Sequence, residues 1–252
     1  MASRDPAATV DARLTAKEPQ SIARMFDAIA RRYDFLNHLL SAGLDRRWRA
    51  TAVAALDLHE DDLLIDLCTG TGDLAMAALP RAPDSSGRVV GIDFAFEMLR
   101  VAQSKIARRH VRVPLVQADA VRLPLSSESV DAVTVGFGIR NVADRLAACR
   151  EVLRVLKPGG RFGVLEFGVP HTPGLRSAYL WYFRRVLPRI GAVVARHSDA
   201  YAYLPESVGA FPAPEVFADQ LTSVGFERVR PTRLARGVVY LYVARKPGAG
   251  LL

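Results

Sequence analysis

The sequence predicts an α/β fold: a doubly wound, mostly parallel sheet with an antiparallel hairpin at its C-terminal edge and a helical lid at its N-terminal end. Three observations carry this. Short apolar runs alternate with segments of helical period from Leu63 to Phe167. The first run, LLIDL (63–67), is nearly continuous in apolar residues rather than alternating, as a strand buried on both faces must be. Two helical segments precede it, and two apolar runs with no helix between them, Phe226–Arg230 and Val238–Ala244, close the chain.

In order, Ile22, Met25, Phe26, Ile29, Tyr33, Leu36 and Leu40 fall on one face of a helix from Ser21, its expected N-cap, to Leu40. Ser41 to Gly43 break the pattern and Leu44–Leu56 resumes it. These two helices either lie over the sheet as a lid or merely cover one edge. Strands are expected at Leu63–Leu67, Arg88–Ile92, Arg112–Gln117, Val130–Gly136 and Arg161–Phe167, with helices over Leu74–Leu79, Ala95–Arg109 and Ala143–Leu156 between them. Pro114 suits an edge strand, and Lys157-Pro-Gly-Gly160 is read as a helix stop. A helix over Pro214–Val224 precedes the final hairpin. The expected organisation is a loose tail over 1–18, one domain over 19–247 with its lid at 19–58 and an insertion at 171–207, and a tail over 248–252.

Composition narrows the function. The 252 residues are 50% hydrophobic, enough for a large core. A net charge of +8 points to an anionic partner, whether nucleic acid, acidic lipid surface or acidic cofactor. The two cysteines, Cys68 and Cys149, have no CxxC partner, which argues against a zinc site or disulfide framework and for a reducing, cytoplasmic setting. No run of about 18 apolar residues could span a bilayer, and the first residues lack the apolar core of a signal peptide.

The chemistry centres on LLIDLCTGTGD (63–73). Gly70 and Gly72 flank Thr71 in a turn between strand and helix, where a backbone without Cβ atoms admits a ligand closely. Asp93 ends the next apolar run, placed to accept the two hydroxyls of a ribose. The third glycine of a dinucleotide fingerprint is missing, and so is the Gly-Lys-Ser/Thr of a phosphate loop. Asp66, Gly70, Thr71, Gly72, Asp93 and Asp119 in this order instead resemble S-adenosylmethionine methyltransferases of class I, with a Rossmann-like sheet. Such a cofactor has no phosphate to cradle and carries an ammonium and a sulfonium that favour nearby acids. A generic nucleotide site, with Asp93 as a helix cap, is the plainer alternative.

Three further segments make the resemblance specific. They are Tyr33 to Asn37 with Ser41 to Gly43 and Arg47 to Arg49; Phe137 to Val142 running into Arg154 to Arg161 and Leu165 to Phe167; and Tyr201 to Ser207 ending at Phe211-Pro212. Over about Phe26 to Lys246 the chain resembles the ubiquinone/menaquinone-biosynthesis C-methyltransferases. The resemblance implies cofactor contacts from Thr71, Asp93, Asp119 and Ala120. It places Gly136 where relatives often have a serine that touches the cofactor. It also implies methylation of a ring carbon of a polyprenyl hydroquinone. Demethylmenaquinol is the favoured acceptor and a 2-polyprenyl-6-methoxy-benzoquinol the alternative.

Arg140 and Asn141 follow the fourth strand, where open α/β sheets bind ligands. Arg140 is expected either to stabilise a phenolate or to pair with an acid, and Asn141 to bond a ring oxygen. Glu166 is a candidate base or a buried structural acid. Tyr33 and Tyr203 either touch the ring or simply pack, and His171 and His197 are read as solvated. The segment Leu175–Arg196 mixes five arginines with aromatic residues and has no acid, which suits an anionic membrane surface. The expected protein is therefore cytoplasmic and peripheral to the inner face of the cell membrane. It needs no metal, binds no nucleic acid, and is left open to homodimerise.

Overall fold

The computed structural model describes residues 11–41, 43–79, 88–182, 185 and 199–248. The helices are α1 (Ala12–Thr15), α2 (Pro19–Leu40), α3 (Leu44–Ala55), α4 (Asp73–Ala78), α5 (Phe96–Arg108), α6 (Arg145–Val155), α7 (Pro173–Trp181), α8 (Asp199–Gly209) and α9 (Pro214–Val224). The strands are β1 (Leu64–Leu67), β2 (Val89–Asp93), β3 (Leu115–Gln117), β4 (Val130–Gly136), β5 (Leu156–Phe167), β6 (Glu227–Leu234) and β7 (Val239–Arg245).

They form one sheet in the order β3-β2-β1-β4-β5-β7-β6, in which β7 alone runs opposite to the other six strands. All four residues of β1 are buried, and alternate residues feed opposite faces. Ile65 and Leu67 pack with Cys149 and Val152 of α6 and with Phe217 and Leu221 of α9. Leu64 packs on the other side with Val53, Ala75, Ala102 and Ile106 of α3, α4 and α5. The order reverses between β2-β1 and β4-β5, so the connections leave in opposite directions and open a crevice at the carboxyl ends of β1 and β4.

Several boundaries shift for identifiable reasons. Ser21 is not an N-cap: α2 starts at Pro19, whose missing N–H suits the first turn, and Ser21 Oγ donates to Glu18 Oε2 at 2.9 Å. Lys157 to Gly160 do not separate helix from strand but open β5, whose pairing jumps from Val130↔Leu156 to Ala132↔Arg161 across a bulge. A Cβ on Gly160 would stand 2.8 Å from Lys157 O, so glycine is required at that kink. Pro114 precedes β3, which is the expected edge strand. The tail does not stay loose as far as Lys17: from Asp11 on, the chain forms α1, and Leu14 is buried against the cluster of Ile22, Met25 and Tyr203. Much of Leu175–Arg196, together with His197, lies outside the described residues; its first part is α7.

The lid is tied down by polar contacts as well as by its apolar face. The N-cap of α5 is Ala95, which has no side-chain acceptor; Asp27 of α2 accepts from Glu97 N at 2.8 Å instead. Asp66, inside β1 and fully buried, accepts from Thr69 Oγ1 at 2.6 Å, Ala75 N at 2.9 Å and Thr134 Oγ1 at 3.0 Å. One carboxylate thus fixes strand β1, the glycine turn, α4 and β4 together.

Burial raises the Asp66 carboxyl to about 6, against about 4 in an unfolded chain. Its proton stabilises the fold fully below about pH 4, and this contribution, of order 3 kcal/mol, is lost as pH rises through about 6. Asp66→Asn is expected to flatten the dependence of stability on pH between 4 and 7 in urea denaturation. An unchanged slope would assign that dependence to other groups.

Candidate active site

Two cavities share a wall at the carboxyl ends of the central strands. One, of about 230 Å³, runs past the ends of β3, β2, β1 and β4. Its lining includes Asp119, Ala120 and Val121 after β3, Asp93, Phe94 and Ala95 after β2, Cys68 and Gly70 after β1, and Gly136, Phe137, Gly138 and Asn141 at β4. The other, of about 270 Å³, lies under α2, α7 and α8 and is lined mostly by apolar and aromatic side chains, among them Ile29, Trp48, Phe167, Tyr179, Tyr182 and Leu204. Phe26, Tyr33 and Phe137 line both.

The first cavity has the shape and polarity of a nucleoside site. Asp93 Oδ2 accepts from Gly70 N at 2.7 Å and Oδ1 from Ala95 N at 2.8 Å, which fixes the carboxylate while leaving further lone pairs for a diol. Burial pushes its pKa up, and these backbone donors oppose the rise. Phe94, Met98, Ala120 and Val121 provide an apolar slot beside it, and Asp119 binds its own loop through Val121 N at 3.1 Å. Gly70 has φ +56° with no atom within 4 Å of where a Cβ would stand, so the turn presents bare backbone to the cavity. A Cβ on Gly136 would lie 2.9 Å from Leu74 Cδ2, so this chain fills with leucine the room that a serine at 136 needs.

Three expected residues stand behind this surface rather than on it. Asp66, Thr71 and Gly72 line neither cavity. Thr71 Oγ1 donates to Asp34 of the lid, and Lys105 Nζ reaches Asp34 and Asp73 at 2.5 Å each. Beside them His38 Nδ1 lies 2.7 Å from Asp45 Oδ2, Ser41 Oγ donates to Asp45 at 2.8 Å, and Arg49 pairs with Asp45. Ligand atoms of His38, Asp45 and Asp73 fall within 4.8 Å of one another, but Arg49 already supplies the positive charge, 3.6 Å from Asp73. This network latches α2 to α3, α4 and α5. His38, Asp45 and Lys105 escaped the sequence reading because charged residues on amphipathic helices look solvated; the spacing of Asp45 and Arg49, one helical turn apart, was the available signal.

The short 3₁₀ turn Ile139–Asn141 divides its side chains between the cavities, with Arg140 on the apolar one and Asn141 on the nucleoside one. Arg140 is buried, pairs with Glu166 at 2.8 Å, donates to Phe137 O and lies 5.4 Å from the centroid of Phe167. Glu166 lines neither cavity; it also accepts from Phe167 N at 2.9 Å and Arg140 N at 3.3 Å. Its contacts orient the guanidinium. Arg140 Nε, Asn141 Oδ1 and the Tyr203 hydroxyl are buried without hydrogen-bond partners among the described residues. Burial raises Tyr33, and Tyr203 to about 12, so both remain neutral phenols that can donate a hydrogen bond. His171 is exposed and lines neither cavity.

The sequence profile of the ubiE/COQ5 methyltransferase family matches residues 14–246. The chain belongs to this family. It is 48% identical over 226 residues to the ubiquinone/menaquinone biosynthesis C-methyltransferase UbiE of Syntrophotalea carbinolica, covering 88% of this chain and 93% of that protein. It is 46% identical to the demethylmenaquinone methyltransferase of Thermus thermophilus, covering 88% of this chain and all of that one. Among solved structures, a SAM-dependent methyltransferase from Aquifex aeolicus superposes with a TM-score of 0.58 at 17% identity, over 78% of this chain and 88% of that chain. The fold of this ubiE/COQ5 methyltransferase is that of class I.

Its mouth is built on unusual backbone. Cys68 and Phe137, at the ends of β1 and β4, have φ +55° and +58°, in the left-handed region that non-glycine residues seldom adopt. A Cβ on Gly138 would overlap Cys68 Cβ, an atom fixed by its own backbone. Gly138→Ala is therefore expected to destabilise the protein by about 2–4 kcal/mol. Cys68→Gly in the same chain should recover most of that loss in a double-mutant denaturation cycle. Additive effects would mean that the two residues do not compete for space.

Proposed function

We propose that this methyltransferase moves a methyl group from S-adenosylmethionine to a ring carbon of a polyprenyl hydroquinone, demethylmenaquinol being the favoured acceptor. The observation that carries the reading is the pairing of a nucleoside-shaped cavity with an apolar one across the Phe26, Tyr33 and Phe137 wall. The residues fit the cofactor: Asp93 fixed for its hydroxyls, bare backbone at Gly70 and the buried, unpartnered acceptor Asn141 Oδ1. When bound, it supplies a methyl on a positively charged sulfur, whose departure as a neutral thioether needs no acid. The names of the Thermus thermophilus and Deinococcus radiodurans relatives favour the naphthoquinol ring. A 2-polyprenyl-6-methoxy-benzoquinol is the second reading, supported by relatives named for both pathways.

The protein's part is to position the ring and raise its nucleophilicity. A phenol of pKa about 10 must share its proton or its negative charge at neutral pH. Arg140, held by Glu166 and by the Phe167 ring, lines the cavity as a fixed cation for the developing phenolate. Tyr203 offers a neutral hydroxyl in the same cavity. The apolar walls exclude water and hold the ring against the shared wall, where proximity supplies much of the rate.

The prenyl tail would leave this cavity along α7. That helix buries Tyr179 on the cavity side and exposes Trp181, at 63%, and Arg176. Among the described residues no helix is long and apolar enough to cross a membrane. Peripheral docking on an anionic surface, with Trp181 in the interface, would bring a membrane-borne quinol to the mouth.

Purified enzyme, methyl-labelled cofactor and reduced quinols with either ring test the reaction. Label is expected in a naphthoquinol heavier by one methyl. Label in the benzoquinol alone would favour the second reading, and label in neither, with cofactor binding intact, would refute both. Tyr203→Phe is expected to lower kcat about tenfold, the worth of one buried hydrogen bond, without loss of thermal stability. An unchanged kcat would make Tyr203 a packing residue.

A further inference from the structure

The nucleoside cavity has a charge asymmetry that the proposed reaction does not use. Its described lining carries three carboxylates, on Asp93, Asp119 and Asp144, and one cation, Lys17. Lys17 comes from the short link between α1 and α2, and it makes no ion pair or side-chain hydrogen bond among the described residues. None of the three carboxylates pairs with it. Burial lowers its pKa, Arg145 and Arg140 lower it further, and Glu166 opposes them as the weakest contributor. A half-buried ammonium that lines the cavity without a paired carboxylate is a place for an anion.

The backbone at Lys17 is also costly. Glu18 N donates to Arg13 O at 2.9 Å and Lys17 N to Leu14 O at 2.9 Å, closing α1 with Lys17 at φ +54°. Glycine is the residue that adopts this left-handed helix end without strain. The segment is not free to drift: Leu14 is buried and Thr15 Oγ1 donates to Glu206 Oε1 of α8 at 3.1 Å. A strained lysine is thus held at the cavity by a docked segment.

Strand order says which part of a ligand it meets. The cavity runs from β3 and β2, with Asp119 and Asp93, across β1 to β4. If Asp93 takes the ribose, the adenine points toward β3 and the amino-acid end toward β4. The segment that carries Lys17 docks on α8 through Thr15 and Glu206, and α8 packs against the 3₁₀ turn Ile139–Asn141 that follows β4. The amino-acid end of S-adenosylmethionine carries its only carboxylate.

We propose that Lys17 anchors the carboxylate of the cofactor's methionyl group, so that residues 11–18 are part of the cofactor site. This rests on the S-adenosylmethionine reading above. Calorimetric titration of S-adenosylhomocysteine and of 5′-methylthioadenosine, which lacks the amino-acid carboxylate, separates the two. Lys17→Gly should keep or raise thermal stability, because it relieves the left-handed residue. It should also weaken S-adenosylhomocysteine about 10- to 100-fold, as loss of a charge-assisted bond does. Methylthioadenosine should bind it as it binds the unaltered protein, and Lys17→Arg should retain most of the affinity for S-adenosylhomocysteine. Equal weakening of both ligands would overturn the proposal by making the segment a general cover, and unchanged binding of both would overturn it outright. Failure of the unaltered protein to bind either ligand would instead refute the cofactor reading on which the proposal stands.

Discussion

A single carboxylate in the middle of a hydrophobic sheet sets the geometry of everything at its mouth. Asp66 has no access to water, and its three donors come from the turn after β1, from α4 and from β4. A buried acid is tolerated only when its oxygens are satisfied, so these elements can take few other relative positions. The turn that carries Gly70 is therefore presented rigidly, and Asp93 on the next strand meets its N–H at 2.7 Å. Asp66 lies one layer beneath the ligand surface and supports it from there.

Above that rigid base the lid is attached by charges. Asp27 closes the start of α5, Asp34 joins Lys105 and Thr71, and Asp45 gathers Ser41, His38 and Arg49. Water competes with ion pairs of this kind wherever it reaches them, and each pair alone contributes modestly. Together they give one consistent orientation to α2, whose Phe26 and Tyr33 then form the partition between two cavities, with their rings 6.0 Å apart in an edge-on contact. Arg140 and Asn141 serve different sides of that partition although they are sequence neighbours, because a 3₁₀ turn throws adjacent side chains about 120° apart.

Most of the architecture was legible in the chain. The apolar runs of β1 and β4, the hairpin without an intervening helix and the position of Asp93 follow from periodicity and from where open sheets bind ligands, and Asp119 came with the family resemblance. What was hidden depended on tertiary contacts. Leu14 is one apolar residue in a polar stretch, and only its burial against α2 and α8 shows that the segment is docked. Thr71 sits in the turn as expected, yet its hydroxyl is taken by Asp34 from 37 residues away. Lys157 to Gly160 have the composition of a loop, but a β-bulge uses the same residues. Glu166 and Arg140 were each visible as candidates; that they face each other across 26 residues, with the acid behind the cation, is set by the register of β5 beside β4.

The shared wall has a consequence for fit. A helix that walls two chambers at once couples their shapes. Phe26 and Tyr33, in ring contact with each other, line the nucleoside cavity and the apolar cavity alike. Any substitution at either residue therefore reshapes both chambers at once, and the fit of one ligand is tied through the shared wall to the fit of the other.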